Sequence, residues 1–315
     1  MYTRLRRTPG RKTILIAMIS IATAFSAPNA FAANSDDFNY LLGRGIRDIT
    51  GPAVGVQLWG FVREGQVSEG IHFRLWSRAF VMADPESDTR LVFVSADLGS
   101  ITHTLHSEVV DRLRADYGDL YTADNVILSA THTHSGPGGY WHYGVDSPIG
   151  APFLKAHYDA IVEGIVDSIR AAHEGLQPGA ILVNRGTVNA AGANRSMPAY
   201  LNNPEEERAR YSGPTDTDMT LLKFVDATGA TGTLNWFAVH PTSMTYDNRL
   251  ISGDHKGNAS YEFEKREGTT YADASDFVAA FAQSNCGDVT ANLNLDNTGP
   301  GEDEFETTHI IAERQ

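Results

Sequence analysis

Arg90-Leu91-Val92-Phe93-Val94-Ser95-Ala96-Asp97, then Leu105 to Tyr117, then Asn125-Val126-Ile127-Leu128-Ser129 form the passage that sets the fold class. The first and last pieces are short, apolar and β-branched, which suits buried strands. Between them Leu105, Val109, Val110 and Leu113 fall at the three- and four-residue spacing that lines up one face of a helix. Strand, helix, strand reads as a βαβ unit and places the chain in the α/β class, with sheets covered by helices.

Working outward, Leu41 to Thr50 reads as an opening strand closed by Gly51-Pro52, and Gly70 to Val81 as one further strand. The acidic loop from Asp84 to Asp88 then connects a hairpin. Downstream, Phe153 to His173 is the longest predicted helix, with Ile161, Ile165 and Ile169 four apart; Gln177-Pro178-Gly179 breaks it before a strand at Ala180 to Val183. Residues 189–214 are polar and turn-rich and read as a long loop with a short helix. Two strands, Met219 to Val225 and Thr231 to Val239, flank the turn signal Asp226 to Ala230, and Phe277 to Gln283 is a last short strand. Ile310 to Gln315 reads as helix.

Composition narrows the function. The basic start (Arg4, Arg6, Arg7, Arg11, Lys12), the apolar run Ile14 to Phe25 and the small-x-small pattern Ala30-Phe31-Ala32 predict a signal peptide over residues 1–32, leaving 33–315 without an internal boundary. The expected location is therefore secreted or periplasmic. Taking the five positive charges of that leader off a formal charge of −14 leaves −19, which argues against nucleic acid and anionic lipid as electrostatic partners. Cys286 is the only cysteine, so no intramolecular disulfide forms. No later segment is apolar for long enough to be a transmembrane helix.

The strand at Asn125 to Ser129 runs into Ala130-Thr131-His132-Thr133-His134-Ser135-Gly136-Pro137-Gly138-Gly139. In an extended chain, side chains two apart share a face, so His132 and His134 converge, and imidazole suits a borderline metal. An isolated His-x-His equally fits a loop cap beside a surface residue. His240, at a strand end before Pro241, is on its own a structural histidine, but three strand-terminal imidazoles are what a metal site needs. Arg195 in Asn194-Arg195-Ser196 fits a surface ion pair. Thr290, after a buried strand, fits either a turn residue or a hydroxyl facing a reacting carbonyl. Asp97-Leu98-Gly99 and Gly253-Asp254-His255-Lys256-Gly257 read as loop caps.

Gly70-Ile71-His72 with Ser77-Arg78-Ala79-Phe80, Asn125 to Gly139, Asn194-Arg195-Ser196, Trp236 to Pro241 and Phe277 to Ala282 together resemble the neutral ceramidases, zinc-dependent amidohydrolases that cleave N-acylsphingosine. The resemblance implies that His132 and His240 are zinc ligands and that His134 and Arg195 contact substrate, here ceramide or a related N-acyl sphingoid lipid. It implies Thr290 as the catalytic hydroxyl and His72 at a second ion, calcium or magnesium. Two departures stand out. Thr290-Ala291 replaces the usual Ser-Pro of a Gly-Asp-x-Ser-Pro motif. Family members are also roughly twice this length, so the remaining zinc ligands, a glutamate and a tyrosine, and an immunoglobulin-like C-terminal domain fall outside this chain. The expectations are a zinc-dependent ceramide hydrolase, a hydrolase of another N-acyl amide such as an acyl-homoserine, or an inactive truncated chain.

Overall fold

The computed structural model describes residues 38–87, 89–142, 152–273 and 276–315, so the predicted signal peptide lies outside the described residues. In chain order the strands and helices are β1 (Tyr40–Asp48), β2 (Leu58–Gly60), β3 (Gly70–Ile71), β4 (Trp76–Ala83), β5 (Arg90–Ala96), α1 (His103–Tyr117), β6 (Val126–Ala130), β7 (Ser135–Pro137), α2 (Lys155–Glu174) and β8 (Gln177–Thr187). There follow β9 (Ala193–Asn194), α3 (Met197–Leu201), α4 (Glu205–Arg208), β10 (Asp218–Asp226), β11 (Gly229–Phe237), β12 (Leu250–Ile251), α5 (Asp254–Arg266), β13 (Val278–Gln283), β14 (Val289–Thr290) and α6 (Glu304–Arg314).

Among the described residues one mixed sheet holds eight strands in the order β13-β11-β10-β8-β1-β4-β5-β6. The predicted β5-α1-β6 unit is present, with β5 and β6 parallel, and so is the β10-β11 hairpin. The second parallel pair is β11 with β13. Side chains alternate across the sheet as period two requires. Ala79, Val81, Val92 and Val94 face a core shared with α1 and α2, whose Leu105, Val109, Ile161, Ile165 and Ile169 are all buried there. Phe80 and Phe93 point the other way, into a second core with Leu42, Phe224, Leu234 and Val278.

That second core exists because the sheet folds back until β13 comes against β1, β4, β5 and β6. Gln283 fastens the corner: its Nε2 donates to the carbonyls of Thr131, just past β6, and Val239, just past β11, at 3.1 and 2.8 Å. The carboxyl ends of β6, β11 and β13 thus meet at one place, where open α/β sheets put their ligands. Across the sheet, β1 carries Gly43 and Gly45 because α2 passes so close that a Cβ would meet the Ala172 carbonyl oxygen at 1.8 Å and the Ser168 carbonyl oxygen at 2.1 Å.

Three local expectations need correction. Gly70 to Val81 is not one strand: β3 pairs with β12 in a small separate sheet, beyond which the His72 and Phe73 amides donate to the Ile251 carbonyl, and the chain joins the main sheet only at Trp76, opposite β1. Gln177-Pro178-Gly179 ends α2 but already belongs to β8, pairing with β1 at the end of the ladder, where the missing proline N–H is tolerated. Gly253 to Gly257, read as a loop cap, lies largely within a helix. It opens α5, and Asp254, His255 and Lys256 are fully buried.

Candidate metal centre

His132 and His134 converge, although not by strand alternation. β6 ends at Ala130, and His132 adopts φ 71°, a left-handed conformation that costs a β-carbon-bearing residue roughly 1–2 kcal/mol. The loop is held around that kink by main-chain bonds from Thr131 to Ala96 and from His132 to Leu98, and the Thr133 hydroxyl donates to the Ser252 carbonyl at 2.7 Å. His240 arrives from the end of β11, with its N–H donating to Val289 and the His134 N–H reaching the Pro241 carbonyl.

The three rings pack edge to face with centroids 4.6 to 4.9 Å apart. One ring nitrogen from each lies within 4.8 Å of the others, and among the described residues no other group of three histidine, cysteine or acidic side chains does this. On His132, Nδ1 lies 2.7 Å from the Gly99 carbonyl, and on His240 it lies 3.1 Å from the Cys286 carbonyl. A carbonyl only accepts, so in both rings Nδ1 carries the proton and Nε2 of the neutral ring offers a lone pair to the centre. Such outer partners are how metal-ligating imidazoles are oriented.

His134 differs. Its Nε2 sits 3.2 Å from His132 Nε2, while its Nδ1 is buried without a partner. Burial, reinforced by the neighbouring His132, His240 and Arg195 charges, pushes its pKa down to about 2. Burial likewise takes His240 to about 4, against the opposing pull of the Cys286 carbonyl. A neutral imidazole near pH 7 is the state a cation requires of its ligands. Trp59 lies edge-on to His132 and Phe61 edge-on to His134, at 5.9 and 4.7 Å, and wall the centre with apolar surface.

Beside the histidines opens a cleft of about 310 Å³ lined by Phe61, Arg195, Met197, Thr242, Thr290 and Leu295, among others. Arg195 is anchored by Nε and Nη2 to the Gly287 carbonyl at 3.2 and 2.8 Å, not by the acid its surface-pair reading called for. Thr290 is in β14, beside His240 in an isolated parallel bridge, and its hydroxyl lies 3.2 Å from that of Thr242. Ala291, at the usual proline position, is packed in a small core with Phe237, Val289 and Ile311. His72 stands elsewhere: its Nδ1 is 3.2 Å from the Ser252 hydroxyl and its ring packs on Phe73 and Phe305.

Sequence reasoning missed several contributors. Gly60 passes so close to His134 that a Cβ would lie 2.4 Å from its Cγ, and Gly99 lies as close to Trp59. Asp97, read as a loop cap, forms a buried ion pair with Arg78 at 2.9 Å, and Glu264 grips the same guanidinium at 2.6 Å. The bulk of Arg78 in an otherwise apolar strand was the available signal.

Residues 40–315 match the neutral/alkaline non-lysosomal ceramidase family, N-terminal part. The chain is 45% identical over 285 residues to a neutral ceramidase of Pseudomonas aeruginosa, covering 90% of this chain and 42% of that protein. The crystal structure of neutral ceramidase from Pseudomonas aeruginosa superposes with a TM-score of 0.81 at 45% identity, over 89% of this chain and 44% of that one. A ceramidase complexed with C2 gives 0.82 at 44% identity, over 88% and 43%. The chain thus spans less than half the length of these relatives.

Proposed function

The chain belongs to the neutral/alkaline non-lysosomal ceramidase family, and on that premise we propose that it carries the imidazole half of a zinc-dependent amidohydrolase site that cleaves ceramide to sphingosine and a fatty acid. The observation that carries the reading is the convergence of His132, His134 and His240. Their donor set fits zinc, and the matched tautomers of His132 and His240 support those two as the ligands. When bound there, zinc supplies Lewis acidity toward an amide carbonyl and toward water.

The chain's own residues supply the remainder. His134, whose Nε2 faces the other two rings, and Arg195, fixed on Gly287 at the cleft, are the groups assigned to the oxygen that becomes negative as the amide carbon turns tetrahedral. Thr290 brings a hydroxyl to the same cleft as a hydrogen-bond donor or nucleophile. Phe61, Met197 and Leu295 give it apolar wall for a lipid chain. The cleft does not fix acyl length, so shorter N-acyl amides are the comparison substrates. Among the described residues no helix is long and apolar enough to cross a membrane. The basic and apolar character of residues 1–32 supports export to the periplasm or medium. A second ion, calcium or magnesium, at His72 belongs to the same proposal and draws on the resemblance alone.

A second reading is that the 315-residue chain by itself is inactive. It is favoured by its span of 42% of the Pseudomonas aeruginosa relative and by the absence of any carboxylate from the imidazole cluster among the described residues. The experiment measures fatty acid release from ceramide by the chain alone and mixed with the separately expressed C-terminal part of that relative. Turnover in the mixture that disappears with His132→Ala and with His240→Ala is expected. Turnover indifferent to both variants would refute the assignment.

A further inference from the structure

Behind His240 lies a run of buried polar side chains that the proposed chemistry does not use. Lys256, in the first turn of α5, is fully buried, and its Nζ donates to three oxygens. They are the Phe237 carbonyl at 3.0 Å, the Ala282 carbonyl at 3.1 Å and Gln315 Oε1 at 3.2 Å, at the ends of β11, β13 and α6. Lysine offers only donors, so the Gln315 amide must turn its oxygen to Lys256 and its nitrogen away. That nitrogen meets His255 Nδ1 at 2.8 Å. Nδ1 therefore accepts, the His255 proton sits on Nε2, and it points at the main-chain carbonyl of His240, 3.1 Å distant. The donor-to-acceptor sense runs one way, from Lys256 through Gln315 and His255 to His240, whose own Nδ1 passes it on to Cys286.

We infer that His255, oriented by Gln315 and Lys256, is a positioning residue for the His240 imidazole. The His240 carbonyl also accepts from the amide and hydroxyl of Thr242, but those bonds are local and travel with the loop. The His255 bond ties the same carbonyl to a helix. With the His240 N–H on Val289 and Nδ1 on Cys286, main chain and ring are then held at three separate points. A fully buried lysine whose partners are carbonyl oxygens is a costly way to fill space, since burying a cation is unfavourable unless its hydrogen bonds are met by fixed groups. Here the fixed groups are the strand ends that deliver His240 and the Cys286 loop.

The inference rests on the reading of His132 and His240 as metal ligands, and the test separates the two. Cobalt(II) affinity of the 315-residue protein is measured by titration calorimetry for the parent, His132→Ala, His255→Leu, His255→Gln and Gln315→Ala, with melting temperatures alongside. Glutamine keeps a donor where His255 Nε2 stands; leucine does not. His255→Leu is expected to weaken cobalt binding by about tenfold, the usual effect of losing an outer partner of a metal ligand. His255→Gln should restore most of that even where both variants melt at the same lowered temperature, and Gln315→Ala should weaken binding in the same direction. Equal affinities for the leucine and glutamine variants overturn the inference. Should His255→Leu not fold, an unchanged affinity for Gln315→Ala overturns it. Binding that survives His132→Ala refutes the site reading itself, and the inference with it.

Discussion

Replacing Gly60 with alanine puts a methyl group where His134 already is. β2 pairs with β7 so that Gly60 lies opposite Ser135, and an added Cβ would sit 2.4 Å from His134 Cγ and 2.6 Å from its Cα and Cβ. Ordinary contact begins at 3.4 Å, so either His134 or the β2 strand must move by about 1 Å. The contact includes backbone, so rotating a side chain does not relieve it. Gly60 also has φ 130°, where a side chain costs roughly 1–3 kcal/mol. A displacement of that size in a positioned group lowers rates by about 100-fold. Ceramide hydrolysis by the complemented protein should fall by that order, and nitrogen-15 spectra of the imidazoles should show the His134 signals shifted and His240 little changed. Parent-level hydrolysis with an unaltered His134 spectrum would show that the Gly60 contact does not set the site.

Arg78→Met should destabilise the fold by about 3–5 kcal/mol in urea unfolding, because Glu264 and Asp97 are left charged and buried; the double variant Arg78→Met with Glu264→Leu should recover part of this. Burial holds the His255 pKa down at about 3, below its ordinary 6.5, so its contribution to stability is intact above pH 6.5 and is lost as the pH falls toward 3. At pH 5 the loss is about 2 kcal/mol, and His255→Gln should flatten the wild-type decline between pH 7 and 5 by that amount. Thr290→Val, which keeps the shape and removes the hydroxyl, should cut ceramide turnover by about 100-fold or more while Thr290→Ser keeps it within about tenfold; equal rates for the two would remove Thr290 from the chemistry.

The elements legible in the sequence are those that pack against the two cores along their length. α1 and α2 bury one face and show it as helical spacing, while β1, β5 and the β10-β11 hairpin show it as apolar runs between turn signals. The split between β3 and β4 left no such trace, because His72-Phe73-Arg74-Leu75 continues the apolar rhythm while the backbone turns away to β12. The opening of α5 was legible only in part: Gly-Asp-His-Lys-Gly read as a loop cap, and Asp254 does accept from the Ser243, Met244 and His255 amides, but nothing in so polar a run signalled a buried helix start. At the site, residue type and spacing brought forward His132, His134 and His240, and the family resemblance added Arg195 and Thr290. The means of convergence was hidden, since a left-handed His132 and a glycine 74 positions before His134 arise from tertiary contact. His72, placed at a second ion by the resemblance alone, does not join the cluster.

The central claim, that His132 and His240 hold zinc, is tested most directly by anomalous diffraction from zinc-loaded crystals of the 315-residue protein, with data on both sides of the zinc edge. The account predicts an anomalous peak about 2.0–2.1 Å from Nε2 of both His132 and His240. A peak beside His72 or on surface carboxylates, with no density between those two rings at saturating zinc, would contradict it.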